Sequence, residues 1–376
     1  MRVGLNATCL NERPSGAKQR FVGIYGALFQ RLPDVEFVIF EPRDCSVAGW
    51  FAGQANVTGR RTPVPSMGRL GKFWAGLDYW QQAFAGGNFD LFEGMHLPFV
   101  RPKQGIAILT IHDVRGLHAE NGVVQRTLFA TVLRKALQRA DHVVTVSEAM
   151  RAEILAFYPY TPVSVIYNGL DAGVFAGVTQ DDCEAFLVKY KLPRDFVLAV
   201  GHFEQRKNYP RLIEALARLK RRGIDCPLVI VGNDSGEGTL LARQIATLNL
   251  GSRVSLLSGL PDLELRCAYM LCSLFVFPSS YEGFGIPILE AMAAQRPMVL
   301  SNLPVFEEIT EGQSIYFPAG NVEAMADAIE LGLSSNEARD RMVEYGSRRV
   351  AEFSFDKLAD GLAQVHSYFC ASSYSG

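Results

Sequence analysis

The feature that most constrains this chain is an alternation of short apolar runs, rich in β-branched residues, with longer stretches of helical periodicity. Continuous apolar strands that alternate with helices predict parallel sheets covered by helices on both faces. The runs form two series. The first predicts strands over residues 2–6, 35–40, 91–93, 106–111, 142–146 and 163–166, and the second over 196–200, 228–231, 254–257, 274–277 and 298–301.

A turn-rich segment, Asn168-Gly169-Leu170-Asp171, separates the two series and is typical of a linker. The sequence therefore predicts an α/β protein with two Rossmann-like, doubly wound domains over residues 1–168 and 169–353. Residues 354–376 predict a C-terminal helix, for which a return to the first domain is one option. Because such sheets bind ligands at the carboxyl ends of their strands, the expected site is a cleft that the two domains face.

Charge and cysteine content exclude several function classes. With 37 basic and 39 acidic side chains the net charge is -2, which argues against a general nucleic-acid-binding protein. The sequence has no apolar run of roughly 20 residues and no apolar leader, so we expect a cytoplasmic protein. Its seven cysteines are scattered without a C-x-x-C pair, which predicts neither a zinc site nor a disulfide framework.

Residues 278–302 form the most informative motif. A strand ends before the turn Glu282-Gly283-Phe284-Gly285, and Pro287 lies in the first turn of the helix that follows. Glycines let a ligand approach the backbone, and a helix N-terminus offers unpaired N–H groups to a diphosphate. Glu290 on the same helix could reach a ribose. The alternative is an ordinary strand–helix unit with two surface carboxylates.

A second motif occupies residues 201–216. Gly201 and His202 follow a predicted strand, and Arg206 and Lys207 precede a helix for which Asn208 is the candidate N-cap. Arginine binds phosphate oxygens as a fork and lysine binds them as a point charge. The alternative is a solvated basic pair on a loop.

Together these motifs resemble the nucleotide-sugar glycosyltransferases of family four, which have the GT-B fold and retain anomeric configuration. The resemblance rests on R-K-N followed, about 75 residues later, by E-G-F-G-x-P-x-x-E, with N-G-L-D between the domains. It extends over nearly the whole chain. The segments S-N-L-P-V-F-E-E-I and Y-F-P-A-G-N resemble bacterial mannosyl- and rhamnosyltransferases that build O-polysaccharides.

The resemblance implies a role for each matching residue. It assigns Glu282 to the donor sugar, Glu290 to the ribose, and Arg206 and Lys207 to the leaving diphosphate. It also assigns His112, after a first-domain strand, to the donor sugar, although a structural histidine is the alternative. Its further donor-binding positions are Gly16 and Ala17 in a loop after the first strand, Gly201, His202 where the family often has arginine, and the backbone of Gly283, Phe284 and Gly285.

The implied activity is retaining transfer of a hexose of the mannose or rhamnose type from a nucleoside diphosphate sugar, expected to be GDP-linked. The implied acceptor is a polyprenyl-linked or other oligosaccharide of bacterial surface polysaccharide synthesis. No metal and no cofactor are expected, since the sequence has no D-x-D motif. The alternatives are an ADP- or UDP-glucose-dependent glycogen-type synthase, a nucleotide-sugar epimerase, and a non-catalytic nucleotide-binding scaffold.

Residues 60–84 combine basic and aromatic side chains, a composition that suits a membrane–water interface. The candidate membrane or acceptor residues are Arg60, Arg61, Arg69, Lys72, Trp74 and Trp80. A basic helix over 126–140 extends this character. Peripheral attachment to the cytoplasmic face of the inner membrane is one interpretation, and aromatic residues that fill the first-domain core are the other.

Overall fold

The computed structural model describes residues 1–13, 15–68, 79–80, 82–83, 89–118 and 122–372. The chain divides into two compact units. The first unit comprises residues 1–169 together with 354–376, and the second comprises residues 170–353.

The first unit is built on a seven-stranded parallel sheet of order β3-β2-β1-β4-β5-β6-β7. Its strands are β1 (Arg2–Asn6), β2 (Glu36–Glu41), β3 (Val57–Arg61), β4 (Leu91–Gly94), β5 (Ile106–Ile111), β6 (His142–Thr145) and β7 (Val163–Val165). Strand order reverses between β1 and β4. The loops after these two strands therefore diverge and leave a crevice at the carboxyl edge of the sheet.

Among the described residues before the linker, the α-helices with printed bounds are α1 (Gly16–Arg20), α2 (Gly26–Arg31), α3 (Val123–Arg139) and α4 (Glu148–Phe157). Residues 21–25 form a π-helical turn that joins α1 to α2. Ser15 is the N-cap of α1, because its Oγ accepts a hydrogen bond of 3.2 Å from the backbone N–H of Lys18.

The second unit is built on a six-stranded parallel sheet of order β10-β9-β8-β11-β12-β13. Its strands are β8 (Val197–Val200), β9 (Leu228–Val231), β10 (Val254–Leu257), β11 (Leu274–Phe277), β12 (Met298–Ser301) and β13 (Ile315–Phe317). Its helices are α5 (Gln180–Tyr190), α6 (Tyr209–Arg221), α7 (Gly238–Thr247), α8 (Asp262–Leu271), α9 (Ile286–Ala293), α10 (Pro304–Thr310), α11 (Val322–Ser334) and α12 (Asn336–Arg349). Here the order reverses between β8 and β11.

The last helix, α13 (Phe355–Ser372), follows the second unit in sequence but packs in the first. Its residues Leu358 and Leu362 are buried in the first unit's core. His366 and Glu93 at the end of β4 are both fully buried, and His366 Nε2 lies 3.1 Å from a Glu93 carboxylate oxygen. The helix is thus joined to the first sheet by apolar packing and by a buried polar contact.

The prediction of two parallel α/β units is confirmed. Two strands were missed, for different reasons. Strand β3 at the sheet edge is largely exposed and ends in Arg60 and Arg61, so it lacks an apolar run. Strand β13 is three residues long, which is too short to show a period.

Candidate active site

The point where strand order reverses in the second sheet brings both motifs together. Gly201 follows β8, and Glu282 lies five residues beyond the end of the neighbouring strand β11. Because parallel neighbours end at the same edge, their loops meet there. The backbone N–H of Ser280 donates to the carbonyl of Arg206 at 2.8 Å, so the two loops are hydrogen-bonded to each other.

An ion cluster occupies this position. Glu282 Oε1 lies 2.6 Å from Lys207 Nζ, and Glu282 Oε2 lies 2.5 Å from Arg206 Nη1. Ser279 donates a third hydrogen bond to Glu282 at 2.9 Å, and Glu204 pairs with Arg206 at 2.5 Å. The structure therefore brings together the two cations and the first carboxylate that the sequence singled out, 75 residues apart.

Burial sets the electrostatics of the cluster, since the Lys207 side chain is 7% exposed and that of Glu282 is 11% exposed. Burial would raise the pKa of Glu282, but the charges of Lys207 and Arg206 outweigh it and lower this pKa. Burial lowers the pKa of Lys207 against the opposing effect of Glu282. Lys207 Nζ also lies 4.5 Å from the centre of the Phe277 ring, which adds a cation–π contact.

Gly201 provides the space that Lys207 needs. Its φ is +147°, and a Cβ at this position would lie 2.7 Å from Lys207 Cε. His202 is exposed, and within the described part of the chain its ring makes no hydrogen bond. The expectation that the Asn208 side chain caps α6 is wrong: Asn208 has the left-handed conformation, with φ of 57°, and makes no side-chain cap.

The turn after Glu282 has the backbone geometry that a close ligand approach requires. Gly285 has a φ of +135°, and a Cβ there would lie 3.1 Å from the Phe306 ring, so only glycine fits without strain. Phe284 is buried, and its ring centre lies 6.0 Å from that of Phe353. This packing anchors the turn, and Gly283 lies between Phe284 and the ion-paired Glu282. Helix α9 then begins at Ile286, with Pro287 in its first turn.

Glu290 lies on α9 and is separate from the ion cluster in its contacts. The hydroxyl of Tyr269, on α8, donates to Glu290 Oε2 at 2.7 Å. Burial raises the pKa of Glu290, and the hydrogen bond from Tyr269 opposes this shift. The Glu290 carboxylate is therefore oriented by one neutral donor and keeps acceptor capacity for a ligand hydroxyl.

In the first unit, His112 follows β5 directly and is half-buried. It lines a small cavity together with Arg20 and Thr110, and Ala17 on the first turn of α1 lines the same cavity. Burial and the charge of Arg20 lower the pKa of His112 to about 3, so its ring is neutral near pH 7. Gly16 lies at the first helical position of α1 and not in the expected loop.

The basic and aromatic stretch is only partly described, because Arg69, Lys72 and Trp74 lie outside the described residues. Arg60 and Arg61 are exposed on β3. Trp80 is buried, with its ring centre 5.3 Å from that of Phe40, so this side chain belongs to the core and not to an exposed anchor. For Trp80 the core interpretation applies.

Sequence reasoning missed three contributors to these sites, and it missed the contacts of a fourth, Arg20, which lies in the segment that resembles the family's loop after the first strand. Glu204 could have been found, since it lies two residues before Arg206 in the same turn. Ser279 follows β11 and directly precedes the turn. No sequence pattern indicates the contacts of Tyr269 and Arg20. Each side chain lies on a helix, and the residue to which it is hydrogen-bonded is distant in the sequence.

The described residues contain no group of three histidine, cysteine, aspartate or glutamate side chains placed to hold a metal ion. None of their helices combines the length and the hydropathy needed to cross a bilayer.

Two doubly wound parallel units, with an ion cluster and a glycine turn at the switch point of the second, define a GT-B glycosyltransferase. Comparison with known families agrees. The model of "Glycosyl transferases group 1" matches residues 187–349, and that of "Glycosyltransferase Family 4" matches residues 16–174. Each match covers less than half of the chain and the two together span most of it, so the protein is a glycosyltransferase.

Individual relatives and a solved structure show which glycosyltransferases the chain is similar to. The chain is 28% identical to O-antigen chain mannosyltransferase RfbU of Salmonella typhimurium over 66% of both chains. It is 27% identical to O-antigen chain mannosyltransferase B of Escherichia coli, over 75% of this chain and 73% of that one. Sucrose-phosphate synthase from Thermosynechococcus elongatus shares the fold, with a TM-score of 0.77, 19% identity and 99% of both chains covered.

Proposed function

We propose that this glycosyltransferase moves a hexose of the mannose or rhamnose type from a GDP-linked donor to a lipid-linked oligosaccharide, with retention of configuration and without a metal ion. The observation that carries the proposal is the buried cluster of Glu282, Arg206 and Lys207 at the switch point of the second sheet. The O-antigen mannosyltransferases among the relatives support the choice of sugar and pathway class.

The charges of the cluster suggest how a donor engages it. Arg206 and Lys207 are already paired with Glu204 and Glu282, so a diphosphate has to compete for cations that carboxylates hold. A diphosphate carries more charge than one carboxylate and accepts forked hydrogen bonds from arginine. Transfer of the cations to the phosphates releases Glu282, whose carboxylate then accepts hydrogen bonds from sugar hydroxyls.

The exchange of carboxylates for phosphates at Arg206 and Lys207 also assists catalysis. Cleavage of the sugar–phosphate bond leaves negative charge on the diphosphate, and preorganised cations stabilise such charge most where water is excluded. Arg206 and Lys207, aided by the N–H groups at the start of α9, supply this stabilisation. Glu290 is expected to accept from the ribose hydroxyls, and its bond from Tyr269 fixes the direction of its carboxylate.

The decisive experiment measures nucleotide release and product formation with GDP-mannose, GDP-rhamnose, UDP-glucose, ADP-glucose and UDP-GlcNAc, with and without EDTA. We expect turnover of a GDP-hexose, unchanged by EDTA. Glu282→Gln and Lys207→Ala should each lower kcat by about 100-fold or more, while the matched surface variants Glu337→Gln and Lys220→Met keep the wild-type rate. Wild-type turnover by either cluster variant would contradict the proposal.

The same panel separates the alternatives. Transfer from UDP- or ADP-glucose to a soluble glucan indicates a glycogen-type synthase, and turnover of UDP-GlcNAc without acceptor indicates an epimerase. Thermal stabilisation by a nucleotide sugar without any release indicates a binding scaffold.

Membrane attachment rests on helix α3. Its first two turns are exposed, with Val124 82% and Leu128 65% exposed, and the helix carries four basic residues and no acidic one. The first unit as a whole has 19 basic against 15 acidic side chains. An exposed apolar face beside positive charge suits an anionic lipid surface, where a polyprenyl-linked acceptor resides.

Flotation with vesicles of neutral and anionic phospholipid tests this attachment. We expect binding at low salt that Val124→Ser together with Leu128→Ser abolishes. Val188→Ser, at a 76% exposed position of the second unit, is the matched control and should bind as wild type. Equal binding by all three proteins would argue against a membrane role for α3.

A further inference from the structure

Glu204 lies in the turn between β8 and α6 and is a carboxylate to which the proposed reaction assigns no role. Its Oε1 lies 2.5 Å from Nη2 of Arg206. The other terminal nitrogen of Arg206, Nη1, lies 2.5 Å from Glu282 Oε2 and also donates to the carbonyl oxygen of Tyr281 at 3.3 Å. Both ends of the guanidinium are therefore paired with carboxylates of the second unit.

The ion cluster has a more exposed and a more buried pair. The side chains of Glu204 and Arg206 are 24% and 20% exposed, so both are more accessible than Glu282 and Lys207. A diphosphate that enters from solvent therefore meets the pair of Glu204 and Arg206 before the deeper pair. Because a forked contact with phosphate uses two nitrogens of the guanidinium, it has to displace at least one of the two carboxylates.

The backbone fixes Glu204 beside Arg206 without the help of a ligand. The N–H of Glu204 donates to the carbonyl of His202 at 2.8 Å, and the carbonyl of Glu204 accepts from the N–H of Lys207 at 3.0 Å. One residue separates Glu204 from Arg206 in this turn. Glu204 thus stays within reach of Arg206 when a donor is bound, whereas Glu282 is expected to turn to the donor sugar.

The charge of the product gives a competing carboxylate its importance. Cleavage of the sugar–phosphate bond turns the diphosphate diester of the donor into a terminal phosphate monoester. The second pKa of such a monoester is about 6, so the product carries most of a further negative charge near pH 7. It would therefore bind Arg206 and Lys207 more tightly than the donor does, unless another acceptor takes back a cation.

We propose that Glu204 is a positioning residue that competes with the bound diphosphate for Arg206 and thereby promotes release of the nucleoside diphosphate after transfer. The inference rests on the proposed function. With Glu204 counted, two cations face two carboxylates and the empty cluster is neutral. Without it the cluster has an excess positive charge, which favours retention of the product.

The test measures the dissociation constants of GDP, UDP and ADP by calorimetry, and product inhibition of turnover for the nucleotide that binds best. Glu204→Gln should lower both constants by about tenfold or more, because it removes one member of a close charge pair that competes with the ligand. Glu264→Gln is the matched control and should bind as wild type, since Glu264 is 19% exposed and pairs with Lys189 at 2.6 Å within the same unit. Unchanged or weaker binding by Glu204→Gln would overturn the inference, and weaker binding is what a merely structural role predicts.

A double variant shows whether Glu204 acts through Arg206. In an Arg206→Gln background, Glu204→Gln should change the dissociation constant by less than about twofold. Persistence of the full effect would mean direct repulsion of the phosphates and would overturn the inference. If Glu204→Gln does not fold, as judged by thermal unfolding, Glu204→Ala takes its place with the same expectations. Absence of binding of all three nucleotides to the wild type would instead overturn the proposed function, and the inference with it.

Discussion

Glu282 pairs with two cations at once, so in the proposed mechanism its carboxylate is the group whose partners change when the diphosphate of the donor binds. Removal of one partner of a buried ion pair leaves an unpaired buried charge, which is strongly destabilising. Glu290 differs, since its partner Tyr269 is neutral. The two carboxylates of one motif thus have opposite pKa shifts, lowered for Glu282 and raised for Glu290.

The contrast yields a prediction for Glu290. Glu290→Gln keeps the shape of the side chain but removes a charged acceptor, so we expect the donor KM to rise about 10- to 100-fold with a smaller effect on kcat. Because burial disfavours the ionised form of Glu290, the variant should unfold at the same temperature as wild type or above it. Steady-state kinetics and thermal unfolding, with Glu337→Gln as control, measure both effects.

His112 predicts a pH dependence of stability. Its pKa is about 3 in the folded protein, below the ordinary value of 6.5 expected in the unfolded chain. Between these values the unfolded state binds more protons, so the free energy of unfolding rises with pH in this window and is independent of His112 above it. His112→Asn should show a smaller slope between pH 3 and 6.5 in urea unfolding. An unchanged slope would show that His112 is not buried in this way.

Much of the candidate site was predictable at the level of residues, because glycine, proline and charge at a strand–helix junction have local meanings. The pairing of Arg206 and Lys207 with Glu282 was not, since the order of strands decides which loops meet. Nor was Arg20 predicted as a buried group, because its acceptors are backbone carbonyls about 150 residues away.

Helix α13 approaches the π-helical turn between α1 and α2 most closely at a glycine, Gly23. A Cβ at Gly23 would lie 2.3 Å from the Phe355 ring at the start of α13. We predict that Gly23→Ala displaces α13 and destabilises the first unit by about 1–3 kcal/mol. Thermal unfolding measures this, and Gly177→Ala is the control, because nothing lies within 4 Å of a Cβ there. Equal stability of both variants would contradict the close approach.

At the level of elements, the predicted strands at the centre of each sheet match the structure because they are buried on both faces and continuously apolar. Strand β5 and strand β11 have the predicted bounds. The edge strands β7 and β10 were predicted from their apolar runs, whereas β3 is largely exposed and lacks such a run and β13 is only three residues long.

At the scale of the whole molecule, the first unit is made of two segments, residues 1–169 and 354–376, and the second is continuous. We predict that a chain ending at Phe353 loses the thermal transition of the first unit, because Leu358 and Leu362 no longer fill its core and Glu93 loses His366. The second unit should still be stabilised by a nucleotide. Two-transition calorimetry checks this, and retention of both transitions would contradict it.

The return of α13 also affects the order of folding during synthesis. Residues 170–353 are made before α13, whereas the first unit, although its sheet is made first, lacks this helix until residues 355–372 have been translated. The sheet of the first unit therefore emerges with part of its apolar surface uncovered until α13 follows it. A nascent chain of this protein is expected to be a client of ribosome-associated chaperones until α13 has emerged.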